Sequence, residues 1–109
     1  MKYKIVLTDQ ADYDLRRIYE YIAFNLQSPK NAEDQLNRIE LNILGLEEMP
    51  NRYKVYEKEP WRSRGLMQMP VDNFVIFYIV DSLKTTVTII RIMYGGRDID
   101  KHLKRTNFR

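Results

Sequence analysis

The residues best able to do chemistry gather where the most apolar part of the chain ends. Thr86–Tyr94 is almost wholly Val, Ile, Thr and Met, and it closes in Tyr94-Gly95-Gly96-Arg97-Asp98. The two glycines permit a sharp backbone turn, which brings a phenol and a guanidinium close together. Any reaction or binding step is expected there, with Tyr94, Arg97 and Arg91 as the candidate catalytic residues. Arg91 stands inside an apolar strand, where a charge needs a partner. It either faces the same site or lies at a sheet edge against a carboxylate. With no cysteine, thiol chemistry and thiolate metal sites are excluded, and one histidine, His102, cannot build a metal site unaided. There is no phosphate-binding glycine loop and no metal-ligand spacing, so neither metal nor cofactor is expected.

Two strands must position this cluster. Asn73–Val80 and Thr86–Tyr94 are rich in Val, Ile, Phe, Tyr and Thr, and Asp81–Thr85 between them has the length of a hairpin connection. Both runs are apolar at nearly every position, which predicts central strands covered on both faces. Upstream, Tyr3–Leu7 reads as a short strand. Thr8 offers a helix N-cap, with Asp9 and Asp12 in the first turn. Ala11, Leu15, Ile18, Ile22 and Leu26 then form a helical stripe, leaving Asp14, Arg17 and Glu20 toward water. Ser28-Pro29 breaks and restarts the chain. Ala32, Leu36, Ile39, Ile43 and Leu46 make a second stripe, which Met49-Pro50 ends. So short a connection makes the two helices antiparallel, and their apolar faces need the sheet.

Asn51–Trp61 interleaves Tyr53, Tyr56 and Trp61 with Arg52, Lys54 and Lys58. Such rings could stack on bases while the cations hold phosphates, or they could pin the loop to the core; the second is favoured. Arg62–Met69 reads as a further strand with a bulge or close approach at Gly65, ended by Pro70, and Asp72-Asn73 makes the turn into the hairpin. Residues 99–105 predict a short terminal helix. The result is one α+β domain over residues 1–109, in the order β-α-α-β-β-β-(α): two antiparallel helices on a small, mainly antiparallel sheet.

Charge is unevenly spread. Through Pro50 there are six basic and nine acidic residues, net −3; after it there are twelve and six, net +6. The half with the hairpin suits an anionic partner, nucleic acid or an acidic protein. Met1–Lys4 is followed by only three apolar residues, which predicts no signal peptide. No apolar run nears the roughly 18 residues of a membrane span. A soluble cytoplasmic protein is expected.

Leu7-Thr8, Ala11, Asp14-Leu15, Ile18 and Tyr21-Ile22, the Pro-Lys-Asn-Ala start of the second helix, Pro70-Val71, Asn73–Tyr78 and Arg91–Asp98 together resemble the RelE/ParE toxin superfamily over nearly the whole chain. The resemblance implies a type II toxin–antitoxin module, in which a cognate antitoxin holds the toxin inactive in a hetero-oligomer. It also implies one of two targets. RelE-like members cleave mRNA on the ribosome, and that chemistry needs a proton acceptor, a proton donor and cations on the phosphate. ParE-like members poison DNA gyrase by protein contact.

Arg97 matches the arginine that many RelE-like enzymes place on the phosphate, a role suited to a bidentate guanidinium. Alternatively, it pairs with Asp98 or Asp100 and closes the tail. Arg62, Arg64 and Lys101 are further candidate phosphate contacts. The nuclease set is otherwise incomplete: Val75 stands at a second arginine position, Met67-Gln68 replaces a basic pair, and Tyr94 replaces a histidine. A phenol with a reference pKa of about 10 is a poor base near neutrality. The alternative to a toxin is a non-toxic interaction module whose basic C-terminal half docks an acidic protein.

Overall fold

A computed structural model describes residues 2–96 and 98–106. The chain opens with a strand, Lys4–Leu7 (β1), and turns at Thr8 into a helix, Asp9–Glu20 (α1). Thr8 caps that helix: its Oγ1 accepts from the Ala11 N–H at 3.0 Å, and Asp9 and Asp12 sit in the first turn. A π-turn, Tyr21–Asn25, follows. The second helix, Pro29–Leu44 (α2), starts on Pro29, whose missing N–H costs nothing there. Ser28 precedes it without a capping hydrogen bond from its side chain.

Three strands complete the sheet after a two-residue edge strand, Lys54–Val55 (β2): Met67–Val71 (β3), Phe74–Asp81 (β4) and Thr86–Tyr94 (β5). A short helix, Ile99–Lys104 (α3), follows. The sheet order is β1-β5-β4-β3-β2. It is mixed, because β1 runs parallel to β5, while the other three pairings are antiparallel.

The central strands are indeed covered on both faces. Ile76 and Tyr78 of β4 and Val87, Ile89 and Ile92 of β5 join Ala11, Leu15, Ile39 and Ile43 of the helices in one buried cluster. Phe77, Ile90 and Met93 point the other way, into a second cluster with Tyr56, Trp61, Leu66 and Leu103. The second face is therefore closed by the segment between β2 and β3 and by α3. In β4–β5 the register shifts between Phe77 and Tyr78, so Ile90 has no partner opposite it. The extra residue shifts the strand's alternation, so Ile89 and Ile92, three positions apart, face the same cluster.

Four expectations need correction. Asp14 does not face water; it is buried, 8% exposed. Leu26 is not the end of the first stripe: it is exposed, and the π-turn rotates Ala23 inward instead. Residues 60–65 form turns rather than a strand, and Gly65 holds a positive φ of 79°. Pro70 does not end β3 but pairs with Val75 inside it. It lies beyond β2, which reaches only Met67 and Gln68, so β3 is an edge there and tolerates a residue without an N–H.

Candidate functional site

Arg91 finds its partner on α1. Its Nε donates to Asp14 Oδ2 at 2.7 Å and its Nη2 to Oδ1 at 3.0 Å, a bidentate pair in which Arg91 is only 9% exposed. The Ile92 N–H also donates to Asp14 Oδ2, at 2.9 Å. The reason lies in the sheet. β1 pairs with β5 only as far as Ile89, leaving the rest of that edge open. Thr8 takes it over, donating its N–H to Ile89 O at 3.1 Å and its hydroxyl to Ile90 O at 3.0 Å. Asp14 continues the job at Ile92. The third arm of the guanidinium, Nη1, donates to Thr106 Oγ1 at 3.0 Å, just after α3. Arg91 thus ties the helical layer to the layer on the opposite face; of the two readings open in the sequence, the structure shows the pair with a carboxylate at the sheet edge.

Tyr94 is half exposed, at 49%. It pairs with Phe74, and their ring centroids lie 5.9 Å apart. Phe74 packs on the helix-side cluster, so strand alternation puts Tyr94 on that side too. The end of β5 lies close against the start of β4: Gly95 N donates to Asn73 O at 2.8 Å. A Cβ on Gly95 would stand 3.3 Å from that oxygen and 3.6 Å from Val75 Cγ2, so glycine suits this approach. Arg97 lies outside the described residues.

The other candidates sit on the far side of the sheet. Arg62 and Arg64 are exposed on the 60–65 turns, and Lys101 is exposed on α3. Beside them a shallow groove of about 500 Å³ is lined by Arg52, Tyr53, Lys54, Gln68, Pro70 and Val75. The Arg52 guanidinium lies 5.1 Å from the centre of the Tyr53 ring. Among the described residues, then, the candidates are dispersed over three places: Arg91 buried at the β5 edge, Tyr94 on the helix side, and Arg62, Arg64 and Lys101 on the opposite layer. The groove was legible only as the alternation of bases and rings in residues 51–61. Asp14 was missed as a partner, although its place three residues after Ala11 and four before Ile18 lies on the buried stripe.

The titratable groups with displaced pKa values serve structure. Burial first, and then its bond to Asp100, push the Tyr56 phenol far above its usual range. Asp100 also accepts from Lys58, and these two hydrogen bonds hold its carboxyl below the ordinary value. Burial likewise raises Tyr78, whose hydroxyl donates to Pro50 O at 2.6 Å. Both phenols stay neutral, and they fasten a loop, not a substrate. Among the described residues no three His, Cys, Asp or Glu side chains are grouped so as to hold a metal ion, and no helix is long and apolar enough to cross a membrane.

Two helices on one face of a sheet ordered β1-β5-β4-β3-β2 form a fold that the chain shares with solved ParE-type and RelE-type toxin structures. Residues 5–99 match the family model for the ParE toxin of the type II toxin–antitoxin system parDE, and the chain belongs to that family. No curated protein sequence matches the chain. The chromosomal ParDE system of P. aeruginosa contains a chain with 21% identity and a TM-score of 0.69, covering 85% of this chain and 96% of that one. The RelBE2 toxin–antitoxin complex of Mycobacterium tuberculosis gives 21% identity, TM-score 0.65 and coverages of 89% and 95%. A mutant of E. coli RelE in the free state gives 13% identity, TM-score 0.65 and coverages of 96% and 98%. At such identities the solved structures speak for the fold.

Proposed function

We propose that this chain is the toxin of a parDE-type module, kept inactive inside the cell by a cognate antitoxin, and that it acts by poisoning DNA gyrase through surface contact. The observation that carries this reading is the Asp14–Arg91 pair. The strand arginine nearest the C-terminal turn is spent on the fold, with all three guanidinium arms engaged. A nuclease would need cations and a proton acceptor converging on one phosphate. Here Tyr94 and the exposed basic residues lie on opposite faces, and the groove floor is Val75, Pro70 and Gln68. The antitoxin half of the reading is supported by large apolar side chains left outside on the helical hairpin: Phe24, Leu26, Leu41 and Leu44.

One observation favours the ribosomal alternative. Arg52 and Lys54 flank the groove, and two cations beside an apolar floor could hold an RNA backbone. A paired assay separates the two. Purified protein is added to gyrase with relaxed plasmid, and in parallel to translating ribosomes whose message is mapped for new 5′ ends. Gyrase inhibition with intact message is expected. Codon-phased cuts that vanish in Arg97→Ala would reject the gyrase reading.

A further inference from the structure

The whole net positive charge of the protein resides in the layer that covers the second sheet face. Residues 54–66 and 98–106 carry seven basic and four acidic residues, net +3, while the rest of the chain is neutral overall. Packing makes the two segments one layer, because Tyr56, Trp61 and Leu66 of the first share a buried cluster with Leu103 of the second. The Asp100 carboxylate on α3 also receives hydrogen bonds from Tyr56 and Lys58.

The acids of this layer are mostly occupied inside it. Glu59 accepts from the Ser63 N–H and hydroxyl, Asp98 caps α3, and Asp100 is held by Tyr56 and Lys58. The cations mostly point outward: Lys54, Arg62, Lys101, Lys104 and Arg105 are all exposed. The rings do not. Trp61 is 3% exposed and Tyr56 9%, so neither can stack on an unpaired base. A surface that offers cations without exposed rings suits a regular array of phosphates better than single-stranded bases.

We infer that this layer is a docking surface for the backbone of duplex DNA, read without sequence preference. The inference takes its setting from the gyrase reading, since gyrase works on bound DNA and a toxin seated there would meet both. It is measurable without gyrase.

The test is binding of the purified full-length chain to a fluorescent 25-base-pair duplex (a length chosen by design), to single-stranded DNA and to RNA, from low to moderate salt. About four phosphate contacts predict a slope of log K against log salt of roughly −3.6, and a loss of about 100-fold between 50 and 200 mM. Replacing Arg62, Lys101 and Lys104 by Gln together should bring the slope to about −1. Lys101→Arg with Lys104→Arg should preserve binding, and so should Lys30→Ala on α2. Trp61 emission checks that each variant is folded. Tighter binding to single-stranded RNA than to duplex, or a slope unchanged in the triple variant, would overturn the inference. If duplex binding is absent while gyrase is still inhibited, the inference fails and the gyrase reading stands. If the duplex binds as predicted and gyrase is unaffected, the inference stands and the gyrase reading fails.

Discussion

Asp14→Asn should destabilise the protein far more than the removal of any exposed charge. The substitution keeps the shape of the side chain and removes the anion from a buried bidentate pair. The Arg91 guanidinium would remain buried with only neutral acceptors, Thr106 Oγ1 and one amide oxygen. Breaking a buried pair from one side costs about 3–5 kcal/mol, because the abandoned charge has lost its water and gained nothing. For a domain near this size, each kcal/mol lowers Tm by about 4–8 °C, so a fall of at least about 12 °C is expected. Replacing both partners, Asp14→Leu with Arg91→Met, removes the buried charge altogether and should be milder than either single change. It still leaves the Ile92 N–H without its acceptor, a cost of about 1–3 kcal/mol. Urea unfolding followed by far-UV circular dichroism and by the lone tryptophan, Trp61, gives the four free energies of the cycle. A loss below about 1 kcal/mol for Asp14→Asn, or singles that simply add in the double variant, would refute the structural role assigned to the pair.

Two smaller predictions follow from local geometry and charge. The folded-state carboxyl of Asp100 titrates below its ordinary value, chiefly through Lys58 and then Tyr56. The stability it confers is therefore present above the unfolded carboxylate pKa of about 3.9 and is lost as pH falls through the lower folded value. Amide exchange in α3 should accelerate below about pH 4 in the wild type, with added salt weakening the effect, and Asp100→Asn should remove this acid-dependent step. Thr85 ends the β4–β5 turn at a φ of 50°, a conformation poorly suited to a β-branched residue. Thr85→Gly should raise stability by about 0.5–1 kcal/mol in the same urea assay; a loss would mean that the Thr85 side chain makes a contribution larger than its strain.

Much of the fold could be read directly because it rests on periodicity. Ala11, Leu15, Ala32, Ile39 and Ile43 are buried as their spacing requires, and continuous apolar runs did mark strands covered on both sides. What escaped notice depends on contacts between residues far apart in sequence. Asp14 and Arg91 are 77 positions apart, and only the early end of β1 creates the edge they close. Pro70 follows the same logic: its place inside β3 is tolerated only because β2 stops at Met67 and Gln68. The π-turn at Tyr21–Asn25 replaced Leu26 by Ala23 in the core, a shift that no regular stripe foretells. The loop aromatics were read correctly as anchors. Of the candidate site, residue types were legible but their convergence was not, because strand alternation and the bulge at Ile90 decide which face each side chain serves.

The most direct test of the central claim is the order in which macromolecular syntheses fail when this chain is expressed in bacteria without its antitoxin. Pulse-labelling with thymidine and methionine after induction should show DNA synthesis falling first, with protein synthesis and intact messages persisting. Co-expression of the neighbouring small open reading frame should restore growth. A collapse of methionine incorporation before thymidine incorporation, accompanied by cleaved messages and abolished by Arg97→Ala, would contradict the account.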